Sequence, residues 1–252
     1  MTTKKKGSGF AALQRMGRSL MLPIATLPAA GLLLRLGQSD VLGDKGLSQH
    51  ISWMQPVADV LAAAGGAVFT NLPLIFAVGV AVGFAKKSDG STAVAGLFGY
   101  LVFNGVLETL SKYLAPIAKF YKLVFAIDSD VSDVKINYGV LGGIIIGVIA
   151  ALLWQRFYRI KLPDWLAFFG GRRFVPIITS GAAVLIATVM GVIYPLFNWL
   201  INEKFGDWLM HAGAHGGIGG SVAYFVYGVV NRLLIPFGLH HLWNSLPWFQ
   251  LG

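Results

Sequence analysis

Long apolar stretches recur along this chain and constrain its fold more than any other feature. A helix needs about 20 mostly apolar residues to cross the hydrocarbon core of a bilayer. Such stretches lie near residues 20–37, 60–85, 92–110, 138–155, 175–199 and 217–237. Because 56% of the residues are hydrophobic and only 12% are charged, the chain is too apolar for an ordinary soluble domain. The sequence therefore predicts an all-α, polytopic transmembrane protein with about six spans.

Lysine and arginine residues collect in alternate loops. The N-terminal head, the pair Lys86–Lys87 and the loop 156–173 are basic, whereas the intervening loops mix acidic and basic residues. Because cytoplasmic loops of membrane proteins carry the excess of lysine and arginine, we expect a cytoplasmic N-terminus. The net charge of +9 is thus a topology signal rather than the basic stripe of a nucleic-acid-binding protein.

Glycines and prolines inside the apolar stretches predict how the helices pack. A proline there, as at Leu72-Pro73, indicates either a broken helix or a simple kink. Glycines four residues apart allow the backbones of neighbouring helices to approach closely. Such pairs are Gly79 with Gly83, Gly143 with Gly147, and Gly216 with Gly220.

Polar groups persist in the last apolar region, NRLLIPFGLHHLWNSLPWF from Asn231 to Phe249. Arg232 is either a snorkelling residue at a helix end or a buried cation that faces a polar cavity. On a regular helix the neighbouring side chains of His240 and His241 point about 100° apart, so they cannot both face one ligand. One of them is therefore a candidate site residue and the other a structural one.

A second histidine pair, His211-Ala-Gly-Ala-His215, has the spacing of two metal ligands on one helical face. The metalloprotease form of this motif requires glutamate after the first histidine, where Ala212 stands. The surrounding glycines also disfavour a regular helix. We therefore expect neither a metal site nor a cofactor, and we interpret these histidines as capping or loop residues.

The run FFGGRRF, from Phe168 to Phe174, joins two glycines to Arg172 and Arg173. One interpretation is a basic loop flanked by an aromatic belt at the membrane interface. The other is a docking surface for an acidic or phosphorylated partner. The sequence leaves both open.

Four blocks of the chain carry a family resemblance. They are FAALQRMGRSLMLPIATLPAAGLLL, NLPLIFAVGVAVGFA, FYRIKLPDWLAFFGGRRFVPI and RLLIPFGLHHLWN. In this order they resemble enzyme IIC, the membrane component of the glucose and N-acetylglucosamine branch of the bacterial phosphoenolpyruvate-dependent sugar phosphotransferase system. RLGQSDVL and WFQLG are more similar to N-acetylglucosamine members, whereas PFGLHHLWN is more similar to glucose members.

The resemblance implies a homodimeric permease in the bacterial inner membrane, in contact with lipid. Residues 1–201 would form dimerisation and scaffold helices, and 202–252 an amphipathic crossover and the start of a sugar-binding transport domain. The sugar would be phosphorylated by a phosphocysteine on a separate IIB protein, since this chain contains no cysteine. The implied sugar-site residues are His240, His241, Arg232 and Asn244. The implied docking residues for IIB are Arg172 and Arg173.

One family motif does not occur in the sequence. Members of the family carry a Gly-Ile/Val-Thr-Glu-Pro motif, whose glutamate also binds sugar, and neither Glu108 nor Glu203 lies in such a context. We therefore expect the chain to be the front part of a longer transporter. The alternative is a truncated scaffold that dimerises but lacks a complete sugar site, and whether the chain acts as part of an enzyme stays open.

Overall fold

The described part of the molecule is all-helical. The computed structural model describes residues 8–51, 53–86, 88–125, 135–199 and 217–234. Within these ranges there is no strand, and short 3-10 helices occur at Leu47–Gln49, Asp164–Phe169 and Gly171–Arg173. The α-helices are α1 (Ser8–Leu36), α2 (Met54–Thr70), α3 (Leu72–Phe84), α4 (Gly90–Ser111), α5 (Leu114–Phe125), α6 (Gly139–Phe157), α7 (Phe174–Asn198) and α8 (Gly217–Leu234). The prediction of an all-α protein is confirmed.

Several helices are long and apolar enough to cross a membrane. Among the described residues these are Gln14–Leu36, Gly90–Ser111, Gly139–Phe157 and Gly171–Asn198, and α2 with α3 meets the same criterion as a bent pair, either a broken span or a re-entrant segment. These elements match the first five predicted stretches, and the chain is a membrane protein. The sixth predicted stretch, 217–237, corresponds to α8, which does not meet the same criterion. That prediction extended to residue 237, beyond the last described residue of α8.

Of the two alternatives for Leu72-Pro73, the structure has a break between α2 and α3 rather than a simple kink. The two helices meet at an angle of 53°. Pro73 stands in the first turn of α3, where its missing N–H and its ring prevent α2 from continuing as a regular helix. Asn71 caps the break, because its side chain donates to the carbonyl of Ala67 at 2.9 Å.

Glycines hold α3 close to the helices on either side. A Cβ atom at Gly83 would lie 2.6 Å from the Cα of Ser19 in α1, and one at Gly147 would lie 2.7 Å from the carbonyl oxygen of Ala77. Gly79 and Gly143 make similarly close approaches, to Pro23 and to Pro73. The packing role of these two pairs is confirmed, whereas Gly216 of the third pair lies outside the described residues.

The region 111–138, expected as a loop, contains the additional helix α5. Its twelve residues are too few to cross a bilayer. Leu114 and Ala118 are buried in the core, whereas Leu123 is 87% exposed. Helix α5 does not stand out in the sequence as an apolar stretch, because it is short and amphipathic and contains Lys119 and Lys122.

The bundle has two chemically different ends. At one end the start of α1 meets the end of α3, and the starts of α4 and α7 meet the end of α6. We call this the basic end, because it carries Arg15, Arg18, Lys86, Arg156, Arg159, Lys161, Arg172 and Arg173. At the other end Ile136 N donates to Ser111 Oγ at 2.9 Å, and Tyr138 Oη donates to the carbonyl of Met190 at 2.8 Å. Acidic residues of the described chain collect there, including Asp40, Asp44, Asp59 and Glu108.

Candidate functional site

The predicted sugar-site residues fall at the C-terminal side of the described chain. His240, His241 and Asn244 lie outside the described residues, as do His211 and His215. Arg232 stands in the last turn of α8, and its side chain is exposed. Its exposure among the described residues fits a helix-end position, and its role at a sugar site stays a prediction.

Asn231, next to Arg232, is a polar residue to which the sequence assigned no role. Its Oδ1 atom is buried and has no hydrogen-bond partner among the described residues. A buried amide oxygen without a partner is costly, so this atom is available to a donor from a ligand or another part of the chain. Its position beside Arg232 in an apolar helix was the only sequence signal for it.

The predicted docking residues lie at the basic end, in the loop that leads into α7. Arg172 Nη1 forms an ion pair with Asp89 Oδ2 at 2.9 Å, and the Arg172 side chain remains 68% exposed. Arg173 Nη1 donates to the carbonyl of Phe168 at 3.3 Å, and its guanidinium lies over the Phe168 ring at 4.9 Å. A guanidinium has five N–H donors. Both arginines therefore keep donors that face outward.

Asp89 connects these arginines to the core of the bundle. It caps the start of α4 by accepting hydrogen bonds from the backbone N–H and the hydroxyl of Ser91. Ser91 Oγ in turn accepts from Trp154 Nε1 at 3.1 Å, and the Trp154 ring stacks on Tyr158 at 4.7 Å. No local sequence signal indicated this network, because Asp89, Trp154 and Arg172 are distant in the chain.

The electrostatics of Asp89 keep the Arg172 ion pair intact. Hydrogen bonds from Ser91, aided by the Arg172 charge, hold the pKa of Asp89 below its usual value. A carboxyl group whose folded pKa is depressed loses its stabilising interaction only as the pH falls through that lowered value. Asp89 therefore stays ionised, and able to pair with Arg172, at neutral and mildly acidic pH.

No metal centre is evident in the described chain. Within residues 8–51, 53–86, 88–125, 135–199 and 217–234, histidine, aspartate and glutamate side chains do not gather in groups of three. The guanidinium groups of Arg172 and Arg173 at the basic end are suited to the recognition of anions.

Comparison with known proteins gives the family. The family model described as "Phosphotransferase system, EIIC" matches residues 17–252. A relative from Streptomyces coelicolor, described as "PTS system N-acetylglucosamine-specific EIIC component", is 46% identical over 254 aligned residues, which cover 99% of this chain and 55% of the relative. The chain thus spans about half the length of this curated relative. Since the family model covers nearly the whole chain, the chain belongs to the EIIC family of the phosphotransferase system.

Proposed function

We propose that the chain acts in a membrane permease that translocates N-acetylglucosamine and presents it for phosphorylation by a separate IIB protein. The observation that carries this proposal is the 46% identity, over 99% of the chain, to a relative whose name specifies N-acetylglucosamine. The polytopic helical fold supports the same function. Glucose is the second candidate sugar, because PFGLHHLWN resembles the glucose members.

The transport proposal is tested by sugar phosphorylation. The protein is expressed from its gene with any reading frame that follows Gly252, reconstituted into liposomes, and supplied with a phosphorylated IIB protein. We expect saturable binding of radiolabelled N-acetylglucosamine and its conversion to a phosphosugar only when IIB is present, with glucose as the competing sugar. A protein that inserts and dimerises but binds neither sugar would instead be the non-transporting scaffold.

Sugar recognition is assigned, in this proposal, to the C-terminal segment of the chain. His240, His241, Arg232 and Asn244 supply an imidazole pair, a guanidinium and an amide, which are suitable partners for sugar hydroxyls and for an incoming phosphoryl group. The unpaired Oδ1 of Asn231 adds a hydrogen-bond acceptor to the same stretch. Residues 202–252 then form the crossover and the start of the transport domain.

Residues 1–201 serve, in the same proposal, as the scaffold through which two copies associate in the membrane. The outer surfaces of α4 and α7 are apolar, with Phe98, Leu101, Leu185 and Val189 all exposed in the single chain. Such a surface is stable only against lipid or another protein. Lipid and a second copy together would cover it.

Orientation is the next part of the proposal, with the basic end placed in the cytoplasm. The described chain has eight basic residues there against the acidic Asp89 and Asp164. The opposite end mixes both signs, because Arg35, Lys45, Lys112 and Lys135 stand there with Asp40, Asp44, Asp59 and Glu108. Arg35 and Asp40 neutralise each other through two hydrogen bonds of 2.8 Å. The larger number of basic residues at the basic end favours a cytoplasmic N-terminus by the positive-inside rule.

Cysteine labelling in intact cells checks the orientation. The chain has no cysteine, so a single introduced thiol reports its own side of the membrane. We expect Asp164→Cys to react only with membrane-permeant reagents and Asp44→Cys to react with impermeant ones, since both positions are exposed in loops at opposite ends. Labelling of Asp164→Cys by an impermeant reagent would reverse the topology.

The arginine pair at the basic end is the proposed docking point for phosphorylated IIB. We expect the double variant Arg172→Gln/Arg173→Gln to phosphorylate sugar at least several times more slowly at low salt, with sugar affinity unchanged. Long-range charge attraction mainly accelerates encounter and is screened by salt. The measurement is the rate of phosphosugar formation as a function of IIB concentration and ionic strength.

Two matched variants separate docking from local structure. Lys45→Gln/Lys112→Gln removes the same charge at the opposite end and should leave the rate unchanged. Asp89→Asn breaks the ion pair of Arg172 but keeps both arginines, so it should slow phosphorylation much less than the double arginine variant. Equal rates for the wild-type protein and the double variant at low salt would leave these arginines with a topological role alone.

A further inference from the structure

A polar cavity of about 310 Å³ lies beside the break between α2 and α3, at the end of the bundle opposite the basic end. Its volume is at the lower limit for small-molecule sites in proteins. Its polar lining includes Thr70, Tyr100, Asn104, Glu108, Lys135 and Asn137. None of these residues belongs to the predicted sugar site or to the predicted docking surface.

The walls of this cavity are fixed by local structure. Tyr100, Asn104 and Glu108 are spaced four residues apart on α4, so they share one face of that helix. The hydrogen bond from Ile136 N to Ser111 Oγ, 2.9 Å long, holds the segment with Lys135 against the end of α4. On the third side Pro73 contributes to the lining. It stands in the first turn of α3, where its missing N–H interrupts the helical hydrogen bonds between α2 and α3. The cavity is therefore a consequence of the helix break.

Three polar side chains of the lining are exposed and are not used by the fold. Within the described part of the chain, Asn104, Glu108 and Lys135 have neither a hydrogen-bond nor an ion-pair partner. Asn104 and Glu108 nevertheless occupy the second half of an apolar helix that is long enough to cross the membrane. Amide and carboxylate groups are expensive at such positions unless they face a polar space or a ligand. Both side chains are exposed and open into this polar space, which accounts for their placement and leaves them free to contact a ligand.

The chemistry of the lining favours a neutral ligand with many hydroxyl groups. One carboxylate, Glu108, and one ammonium group, Lys135, cancel in charge, so an anion or a cation would leave one of them unmatched. Two amides and a threonine hydroxyl add donors and acceptors, and Tyr100 offers an aromatic face. Hydroxyl groups both donate and accept hydrogen bonds, so a sugar satisfies such a mixed set better than a fatty or singly charged molecule does.

We propose that this cavity is a second sugar-binding site, carried by the scaffold helices and built without the His240 segment. It would hold a hexose or an N-acetylhexosamine on the side of the membrane opposite the basic end, before the sugar reaches the transport domain. The assignment of the ligand rests on the proposed function, because that function supplies the sugar. The polar cavity and its unpaired side chains supply the site.

Photolabelling locates the bound sugar. The purified chain is irradiated with an N-acylglucosamine that carries a diazirine, and the labelled peptides are identified by mass spectrometry. We expect label in residues 100–111 and 135–137 that free N-acetylglucosamine displaces. Asn104→Leu should reduce this label about tenfold or more, because a lost hydrogen-bond partner leaves a sugar hydroxyl unpaired. Glu108→Gln, which preserves shape, should also reduce it.

The controls separate this site from the proposed transport site. Thr109 is exposed next to Glu108 but does not line the cavity, and its hydroxyl donates to the carbonyl of Gly105 at 3.0 Å. Thr109→Val should therefore leave the labelling of the cavity unchanged. His240→Ala should also leave the cavity label intact. Displaceable label confined to other segments, or wild-type labelling in both cavity variants, overturns the proposal. A cavity that retains a phospholipid headgroup and excludes sugar also overturns it.

Sugar phosphorylation in the presence of IIB distinguishes the two proposals. If phosphorylation occurs and the cavity takes no displaceable label, the second site is wrong and the transport function stands. If the cavity is labelled but IIB never yields a phosphosugar, the second site stands and the transport function fails.

Discussion

Replacing Gly143 with alanine is expected to destabilise the helix bundle by about 2 kcal/mol or more. The added Cβ atom would lie 2.9 Å from the carbonyl carbon of Pro73 and closer still to its oxygen. Both atoms belong to the backbone of α3, so no side chain can rotate out of the way. Helices α3 and α6 would have to separate along one of the two most extensive helix interfaces of the described chain. Thermal unfolding in detergent and the yield of monodisperse protein measure this effect.

Gly181→Ala in α7 is the matched control. A Cβ atom at Gly181 would meet nothing within 4 Å. Alanine is also the better helix former, by about 1 kcal/mol in water. This variant should therefore be as stable as the wild-type protein or slightly more stable. If both variants lost the same thermal stability, the close approach of α6 to α3 would not be the reason why glycine is required at position 143.

Much of the fold could be predicted because the bilayer imposes a simple rule. Hydropathy alone located the candidate spans, since each must present about 20 apolar residues. The break at Leu72-Pro73 followed from the chemistry of proline, and Gly143 with Gly147 marked a contact surface. These are local signals, each readable within one turn or one helix.

Interactions between distant segments could not be predicted in the same way. The pairing of Asp89 with Arg172 joins residues 83 positions apart, and it exists only because α4 and α7 start at the same end of the bundle. The polar cavity likewise requires α2, α4 and the segment before α6 to be brought together. For Asn104 and Glu108, the available signal was their spacing of four within an apolar helix, which indicates a shared polar face.

Helix α5 shows a different limit of sequence reasoning. Leu114 and Ala118 pack one face of α5 against the core, whereas the apolar side chains of Phe120 and Leu123 are exposed. Long, uniformly apolar stretches identify membrane spans, but they do not identify a short helix in which apolar and polar residues alternate. A 3.6-residue periodicity is the signal that would have identified it.

Loss of the His240 side chain is expected to weaken sugar binding tenfold to a hundredfold, or by about 1–3 kcal/mol. The test requires the protein expressed with any reading frame that follows Gly252. If the neutral imidazole shares a hydrogen bond with a sugar hydroxyl in a water-poor site, His240→Ala leaves that hydroxyl unpaired. The variant should still insert in the membrane and dimerise, because the scaffold helices are untouched. Isothermal titration with N-acetylglucosamine measures the affinity.

His241→Ala provides the control within the same pair. The turn of about 100° between adjacent helical residues makes it unfavourable for both rings to reach one ligand. We therefore expect His241→Ala to change affinity less than His240→Ala and to reduce the protein yield more, as the loss of a structural histidine would. A large loss of affinity in His241→Ala, with wild-type affinity in His240→Ala, would exchange the two roles. If neither variant changes the affinity, the Gly-Leu-His-His segment serves packing, and the sugar is held by other residues.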